Sequence, residues 1–387
     1  MQRKKVLWLT SWYPNRNDRF DGDFIQRHAH AAAIDHDIHV IYVTDADLET
    51  ATEEETKVST GLTEQWIYFR RRKGLYNKLY KQVYWRKLFL EAIQKYTETN
   101  GAPDIIHVHI PWKAGLIALW LKKKKGWNFI VTEHWGIYNK VAEGHYTSQP
   151  IYVRNTIRRV VQEARLLVSV SHYLGAAINR TVVEKPFQVI PNVTDTSLFH
   201  PGKDKYDLFT FLHVSNMVPL KNVKGILEAF IALKEKGVRA QLILIGNREE
   251  HYTSFASRSG YLNQSIHFRG EVSYREVAEE MRRSHCLVLN SFIENSPCVI
   301  GEALCTGLPV IATAVGGIPE LVDDSNSILI DPTHPGALSV AMESMIADYH
   351  TYETAVIAEQ AKDRFGYSAV AEGFRKLYAE PEAGARS

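Results

Sequence analysis

Residues 286–321 constrain the fold more than any other stretch, because they spell out a strand, a helix opening, a helix ending and a second strand in unbroken succession. Cys286-Leu-Val-Leu-Asn290 is a short apolar run of the buried-strand type. Ser296-Pro297 predicts a helix start, with serine as N-cap and proline at the first helical position. Gly307 suits the left-handed conformation that closes a helix, and Pro309-Val-Ile-Ala-Thr313 reads as the next strand. Gly316-Gly317 then predicts a turn into another helix near Pro319. The unit sets a helix N-terminus at the carboxyl end of a strand, as parallel α/β sheets do.

A helix N-terminus presents unpaired N–H groups and a positive partial charge, which suit a phosphate or diphosphate. Glu294 stands just before this one and Glu302 eight positions later. With Pro297 as first helical residue, Glu302 lies about 7.5 Å along the axis. Like charges repel, so neither carboxylate belongs on the phosphates; both suit hydroxyls on either side of them. Hydroxyls, a diphosphate and more hydroxyls describe a nucleotide sugar.

The stretch from Glu294 to Glu302, followed by Glu-Ala-Leu-Cys-Thr-Gly-Leu-Pro-Val-Ile-Ala-Thr and Gly-Gly-Ile-Pro-Glu-Leu-Val, resembles the donor-site signature of the retaining GT-B glycosyltransferases of family four. The resemblance implies that Glu294 faces the donor sugar, that Glu302 binds the ribose, and that backbone amides between them hold the diphosphate. Asn295-Ser296-Pro297 replaces the family's Gly-Phe-Gly type of turn. Since proline has no N–H, more of the holding falls to the amides of Cys298 and Val299. In Ser-Asn-Met-Val-Pro-Leu-Lys-Asn222, Lys221 matches the family's lysine at the diphosphate, while Asn216 stands where an arginine is usual. By the same resemblance the loop from Arg269 to Val272 reads the base mainly through its backbone. His134, in Thr-Glu-His-Trp, lies beneath the donor sugar. Gly22 matches a glycine that lets the backbone approach donor phosphate or acceptor, and it reads equally as an ordinary turn glycine. His107 and His109 read as structural.

The resemblance runs strongly from about 205 to 378 and more loosely before that. It implies an α/β fold of GT-B type, two Rossmann-like doubly wound domains facing a central cleft. Residues 1–200, completed by about 370–387, would form the acceptor-side domain, and 201–369 the nucleotide-sugar domain. The implied reaction moves a hexosyl or N-acetylhexosaminyl group, with retention, from a UDP- or GDP-sugar to an acceptor hydroxyl in a bacterial surface glycan or lipid-linked oligosaccharide. No metal and no cofactor beyond the donor is expected, because the helix N-terminus and Lys221 serve as the anion clamp. Front-face attack, with the leaving phosphate taking the acceptor's proton, is the implied route.

The net charge of +2 conceals an asymmetry. Residues 1–200 carry 28 Lys and Arg against 20 Asp and Glu, and residues 201–387 carry 18 against 24, so the halves face different partners. Three cysteines, Cys286, Cys298 and Cys305, sit at apolar positions near the donor segment, as reduced core residues of a cytoplasmic protein do. The start, Met1-Gln-Arg-Lys-Lys-Val-Leu-Trp-Leu-Thr10, is too briefly apolar for a signal sequence and reads as a first strand. No apolar run approaches the roughly 18 residues of a spanning helix, so membrane contact is expected to be peripheral.

Along the chain, Phe24 to Ala33 reads as a helix and Ile38-His-Val-Ile-Tyr-Val43 as a strand; residues 45–65 read as loop or edge hairpin. Arg70-Arg-Arg-Lys73 precedes a stretch in which Leu75, Leu79, Val83, Phe89 and Ile93 recur at helical spacing among tyrosines, Trp85 and lysines. That stretch is either a core helix with a solvated basic face or a helix resting on an anionic membrane that holds a lipid-linked acceptor. Asp104 to Ile110, Phe129 to Glu133, Val168 to Ser171 and Val189 to Asp195 read as strands, and residues 201–207 as a linker. Ser273-Tyr-Arg-Glu276 is a capping box.

A dehydrogenase is disfavoured because no G-x-G-x-x-G opens a helix, and an NTPase because no Walker A loop exists. Nothing marks nucleic acid as a partner. A GT-B epimerase or phosphorylase, and a degenerate member that binds nucleotide sugar without catalysis, are the alternatives; Asn216 favours the last, and Glu294, Glu302 and Lys221 oppose it.

Overall fold

The computed structural model describes residues 3–72, 77–142, 144–246 and 250–380. By contact the chain divides into two units. One comprises Met1–Tyr138, Gly144–Pro191 and Val370–Ser387, the other Asn139–Glu143 and Asn192–Ala369. The change of unit at Pro191 falls before the linker expected at 201–207.

The first unit opens with β1 (Lys5–Thr10), α1 (Asp23–Ala32), β2 (Asp37–Ala46), β3 (Thr52–Ser59) and β4 (Leu62–Arg70). It continues with α2 (Asn77–Asn100), β5 (Ile105–His109), α3 (Ala114–Lys125) and β6 (Phe129–Glu133). After two short 3-10 turns come α4 (Ile151–Glu163), β7 (Leu166–Ser169), α5 (His172–Thr181) and β8 (Phe187–Val189). Its sheet has the order β3-β4-β2-β1-β5-β6-β7-β8, all parallel except the edge strand β3.

One expectation is met and two need correction here. Of the two readings of residues 45–65 the edge hairpin forms: β3 pairs antiparallel with β4, and β4 is itself an interior strand parallel to β2. The expected strand over 189–195 stops at Val189. In α2 the buried stripe is Phe89, Ala92, Ile93 and Tyr96, whereas Val83 is exposed. Trp85 fixes the rotation of that helix by donating from Nε1 to the Val43 carbonyl at 3.1 Å. Lys73 and Leu75 lie outside the described residues, and the side chain of Leu79 is likewise not described.

One face of this sheet packs Leu7, Leu9, Ile41, Val108 and Val131 against α2, α3 and α4. The opposite face is aromatic and polar. There Trp8 Nε1 donates to Tyr378 Oη (3.1 Å), and that hydroxyl bonds His107 Nδ1 (2.7 Å). Tyr378 belongs to the last helix of the chain.

The second unit runs β9 (Phe209–Val214), α6 (Val223–Glu235), β10 (Ala240–Ile245), α7 (Glu250–Arg258), β11 (Ile266–Gly270) and α8 (Tyr274–Arg283). Next come β12 (Cys286–Leu289), α9 (Cys298–Cys305), β13 (Val310–Thr313), β14 (Ser327–Ile330), α10 (Ala337–Asp348) and α11 (Thr354–Phe365). Then α12 (Tyr367–Ala379) follows, and from Val370 it clusters with the first unit. The strand order β11-β10-β9-β12-β13-β14 is wholly parallel and reverses direction between β9 and β12. Both faces are covered, as parallel sheets require. Phe211, Leu242, Val288 and Ile311 meet α6 and α10, while Leu212, Ile243, Leu287 and Ala312 meet α8, α9 and α11.

The capping box forms, Ser273 and Glu276 each bonding the other's backbone N–H. The helix expected near Pro319 does not: Ile318–Glu320 make a single 3-10 turn. Asp323 ends it, accepting at Oδ1 from the Ser325 N–H (2.9 Å) while Asn326 Oδ1 accepts from the Asp323 N–H (3.0 Å). Such side-chain turns compete with helix continuation.

Candidate functional site

In an open parallel sheet, ligands sit at the carboxyl ends of strands where the strand order reverses. In the second unit that point lies between β9 and β12. The loop leaving β12 begins with buried Asn290 and Ser291. It is held from both sides. Thr313 Oγ1 donates to the Ser291 carbonyl (2.6 Å), and the Phe292 N–H donates to the Leu220 carbonyl (2.8 Å) in the 3-10 turn Pro219–Lys221 that follows β9.

This tie brings together residues far apart in sequence. Lys221 Nζ lies 2.6 Å from Glu294 Oε1, and Ser291 Oγ donates to the same oxygen at 2.7 Å. The side chains of Lys221 and Glu294 are 22% and 11% exposed, so the pair is largely withdrawn from water. The Glu294 carbonyl accepts from the Gly317 N–H at 3.0 Å. Gly316 makes that approach feasible: its φ is +58°, and a Cβ there would stand 1.9 Å from the Glu294 oxygen. Read from sequence as a flexible turn, the glycine pair is in fact a close backbone contact that fixes Glu294.

The helix opens one residue later than expected. Pro297 is the N-cap, in extended conformation, and α9 begins at Cys298. Ser296 therefore does not cap through its side chain. Its carbonyl accepts from Asn192 Nδ2 at 2.8 Å, and Asn295 Oδ1 accepts from Asn139 Nδ2 at 3.0 Å. With Cys298 first, the buried Glu302 stands about 6 Å along the axis rather than 7.5 Å. Cys298 and Val299, both half-buried, supply the first-turn amides of α9. Gly307, with φ +73°, follows the Thr306 C-cap.

Asn216 is exposed in the loop after β9, where it offers an amide but no charge. Arg269 is turned toward α8, its Nε 3.8 Å from Glu280 Oε1, while neighbouring Gly270 accepts the Gly246 N–H through its carbonyl at 2.9 Å. Among the described residues no three His, Cys, Asp or Glu side chains gather as metal ligands.

In the first unit the candidates also occupy carboxyl-end loops. Gly22 caps α1 with φ +66°, and a Cβ on it would meet the Trp12 backbone at 2.7 Å. The turn reading of this glycine is thus satisfied by packing alone. His134 follows β6 and is buried among Phe24, His28 and His109, with ring centroids 4.8, 5.4 and 5.6 Å away. Its Nε2 lies 3.3 Å from His109 Nδ1. Burial, reinforced by His28 and His107, holds its pKa well below 6.5, so the ring is neutral. His107, bonded by Tyr378 and Thr132, and His109 are interior residues.

Sequence reasoning passed over Glu133 and Asn192. Glu133 is wholly buried. It accepts the N–H groups of His134 and Trp135, each at 2.8 Å, on Oε1, and the Tyr138 hydroxyl on Oε2. Burial pushes its carboxyl up to about 7 against the pull of those bonds. A charged residue closing the apolar run Phe-Ile-Val-Thr was the available signal.

The basic run after β4 is engaged by acids of its own unit. Arg71 Nε lies 3.0 Å from Asp45, Lys81 also pairs with Asp45, and Arg70 Nε donates to the Thr50 carbonyl at 3.0 Å. Among the described residues no helix is long and apolar enough to cross a membrane.

Two family models match the chain: Glycosyltransferase Family 4 over residues 25–198 and Glycosyl transferases group 1 over residues 197–364. The putative teichuronic acid biosynthesis glycosyltransferase TuaC of Bacillus subtilis is 23% identical over 361 residues, 87% of this chain and 88% of its own. Sucrose-phosphate synthase from Thermosynechococcus elongatus superposes with a TM-score of 0.76 at 19% identity, covering 97% of this chain and 98% of that one. HepE of Anabaena in complex with UDP superposes with a TM-score of 0.70 at 17% identity, covering 96% and 99%.

Proposed function

Because the chain belongs to the family-four glycosyltransferases of GT-B fold, we propose that it transfers a hexosyl or N-acetylhexosaminyl group, with retention and without a metal ion, from a UDP- or GDP-sugar to a hydroxyl of a surface glycan or lipid-linked acceptor. The observation that carries this reading is the convergence of Lys221, Ser291 and Glu294 beside the N-terminus of α9, at the reversal point of the second sheet. A cation and a helix N-terminus suit a diphosphate leaving group, and the two flanking carboxylates suit the hydroxyls of sugar and ribose. Glu302 binds the ribose, Glu294 the transferred sugar, and the amides of Cys298 and Val299 the phosphates. His134, held neutral, lies under the sugar ring as a hydrogen-bonding partner. The leaving phosphate takes the acceptor's proton, so no protein nucleophile is needed.

The UDP bound to HepE and the teichuronic acid role attributed to TuaC support the donor and acceptor classes. Peripheral attachment to an anionic membrane belongs to the same reading, with Arg72, Arg86 and Lys87 exposed on the first unit. Liposome sedimentation at low salt checks it, and a protein that stays in the supernatant refutes attachment. Release of UDP or GDP from a panel of sugar nucleotides, with the product anomer read by NMR, tests the reaction. Inversion at the anomeric carbon, or activity abolished by EDTA and restored by manganese, refutes the mechanism.

A further inference from the structure

β6 ends at Glu133, the last of its residues to be matched by β7, where it stands opposite Ser169. The next two amides, of His134 and Trp135, leave the sheet while still in a buried setting, and a buried N–H without an acceptor costs about 1–3 kcal/mol. The chain supplies the acceptor itself. Glu133 folds back so that Oε1 takes both N–H groups, while Oε2 takes the Tyr138 hydroxyl from the 3-10 turn Gly136–Tyr138. One carboxylate thereby defines the backbone of residues 134–138, and the His134 ring is held independently through His109 Nδ1. A carboxylate accepts all three donors at once, two on one oxygen and one on the other.

We propose that Glu133 is a positioning residue for the transfer reaction: it holds the His134 backbone so that the imidazole meets the donor sugar at a fixed height. This rests on the functional reading above, in which His134 touches the sugar. A glutamine at 133 keeps size and shape, but its NH2 then donates to the Tyr138 oxygen, so the phenolic proton loses its acceptor and the two amides face a neutral oxygen. The loop then shifts and His134 with it. An ångström of misplacement costs about 10²-fold in rate.

The test is a double-mutant cycle on nucleoside diphosphate release from the donor that the wild type turns over. Glu133→Gln should lower kcat about 10²-fold with little change in donor KM, and Tyr138→Phe, which removes one bond and leaves the carboxylate, should lower it less. In a His134→Ala background Glu133→Gln should cost almost nothing further, because there is no longer a ring to position. A merely structural carboxylate would slow both backgrounds equally, and that additivity overturns the proposal, as does a Glu133→Gln enzyme with wild-type kcat. Should Glu133→Gln fail to fold, Tyr138→Phe completes the same cycle with His134→Ala. If the wild type releases nucleotide from no sugar nucleotide in the panel, the functional reading itself fails and takes this inference with it.

Discussion

Glu294→Gln should tighten the binding of free UDP or GDP even though it slows transfer. Lys221 Nζ is 2.6 Å from Glu294 Oε1, so an incoming phosphate must compete for it. A hydrogen bond between charged groups is worth about 1.5–3 kcal/mol. The 22% exposure of the lysine argues for the lower part of that range, or about 1 kcal/mol after screening. Glutamine removes the charge but keeps an oxygen for Ser291 Oγ, so the loop has reason to stay in place. Freeing Lys221 should then lower the Kd for the nucleotide roughly fivefold. Removing a negative charge near the diphosphate acts in the same direction. Titration calorimetry with UDP and GDP measures this, and the gain should shrink at high salt. Transfer from the intact donor should fall, because Glu294 no longer accepts from the sugar hydroxyls as an anion. Equal or weaker nucleotide binding by Glu294→Gln would show that the pair does not oppose the ligand.

Glu302→Ala should weaken UDP or GDP binding by about 1–3 kcal/mol through lost ribose hydrogen bonds, and unchanged affinity in calorimetry contradicts that role. Gly316→Ala combines a left-handed backbone cost of about 1–2 kcal/mol with a Cβ placed 1.9 Å from the Glu294 carbonyl. Its kcat should drop about 10²-fold, far more than its nucleotide affinity, and full activity would show that the glycine contact does not set Glu294. Burial holds the His28 pKa at about 4 and that of His107 at about 3, against 6.5 in the unfolded chain. Their contribution to stability is complete above pH 6.5 and is lost as pH falls toward 4, where the unfolded chain binds protons that the folded one refuses. Urea midpoints followed between those pH values should decline on the acid side, and a flat profile would mean that these histidines are not buried neutral.

The fold was legible wherever local pattern and burial agree. Strands β9, β10 and β12 carry apolar residues on both faces, which the sequence shows as runs rich in them, and Gly307 and the Ser273 capping box punctuate the helices between them. Strand β4 was left undecided between loop and hairpin because its interior carries Glu64 and Gln65, residues that pattern reading assigns to the surface. Glu64 is buried because Tyr13 Oη (2.8 Å) and Gln26 Nε2 (2.7 Å) reach its Oε1, and both partners come from distant segments. Ile318–Glu320 was over-read as a helix for the converse reason, since a downstream aspartate and asparagine offer the backbone a competing turn.

The candidate site divides along the same line. Glu294, Glu302 and the start of α9 are close in sequence, so spacing and a family signature suffice to find them, and only the helix register was off by one residue. What spacing cannot supply is how the groups are held. The Lys221–Glu294 pair depends on the Phe292 N–H meeting the Leu220 carbonyl, the fixed position of Glu294 depends on Gly316 lacking a Cβ, and the Ser296 carbonyl depends on Asn192. Each is a contact across loops that leave different strands, and it exists only because the sheet order places those strands side by side. The groups that bind ligand can be proposed from type and spacing, whereas the groups that position them become visible only with the topology. Glu133 is the boundary case: its partners are one, two and five residues away, local enough to have been found by asking which acceptor serves the amides that follow a strand's last residue.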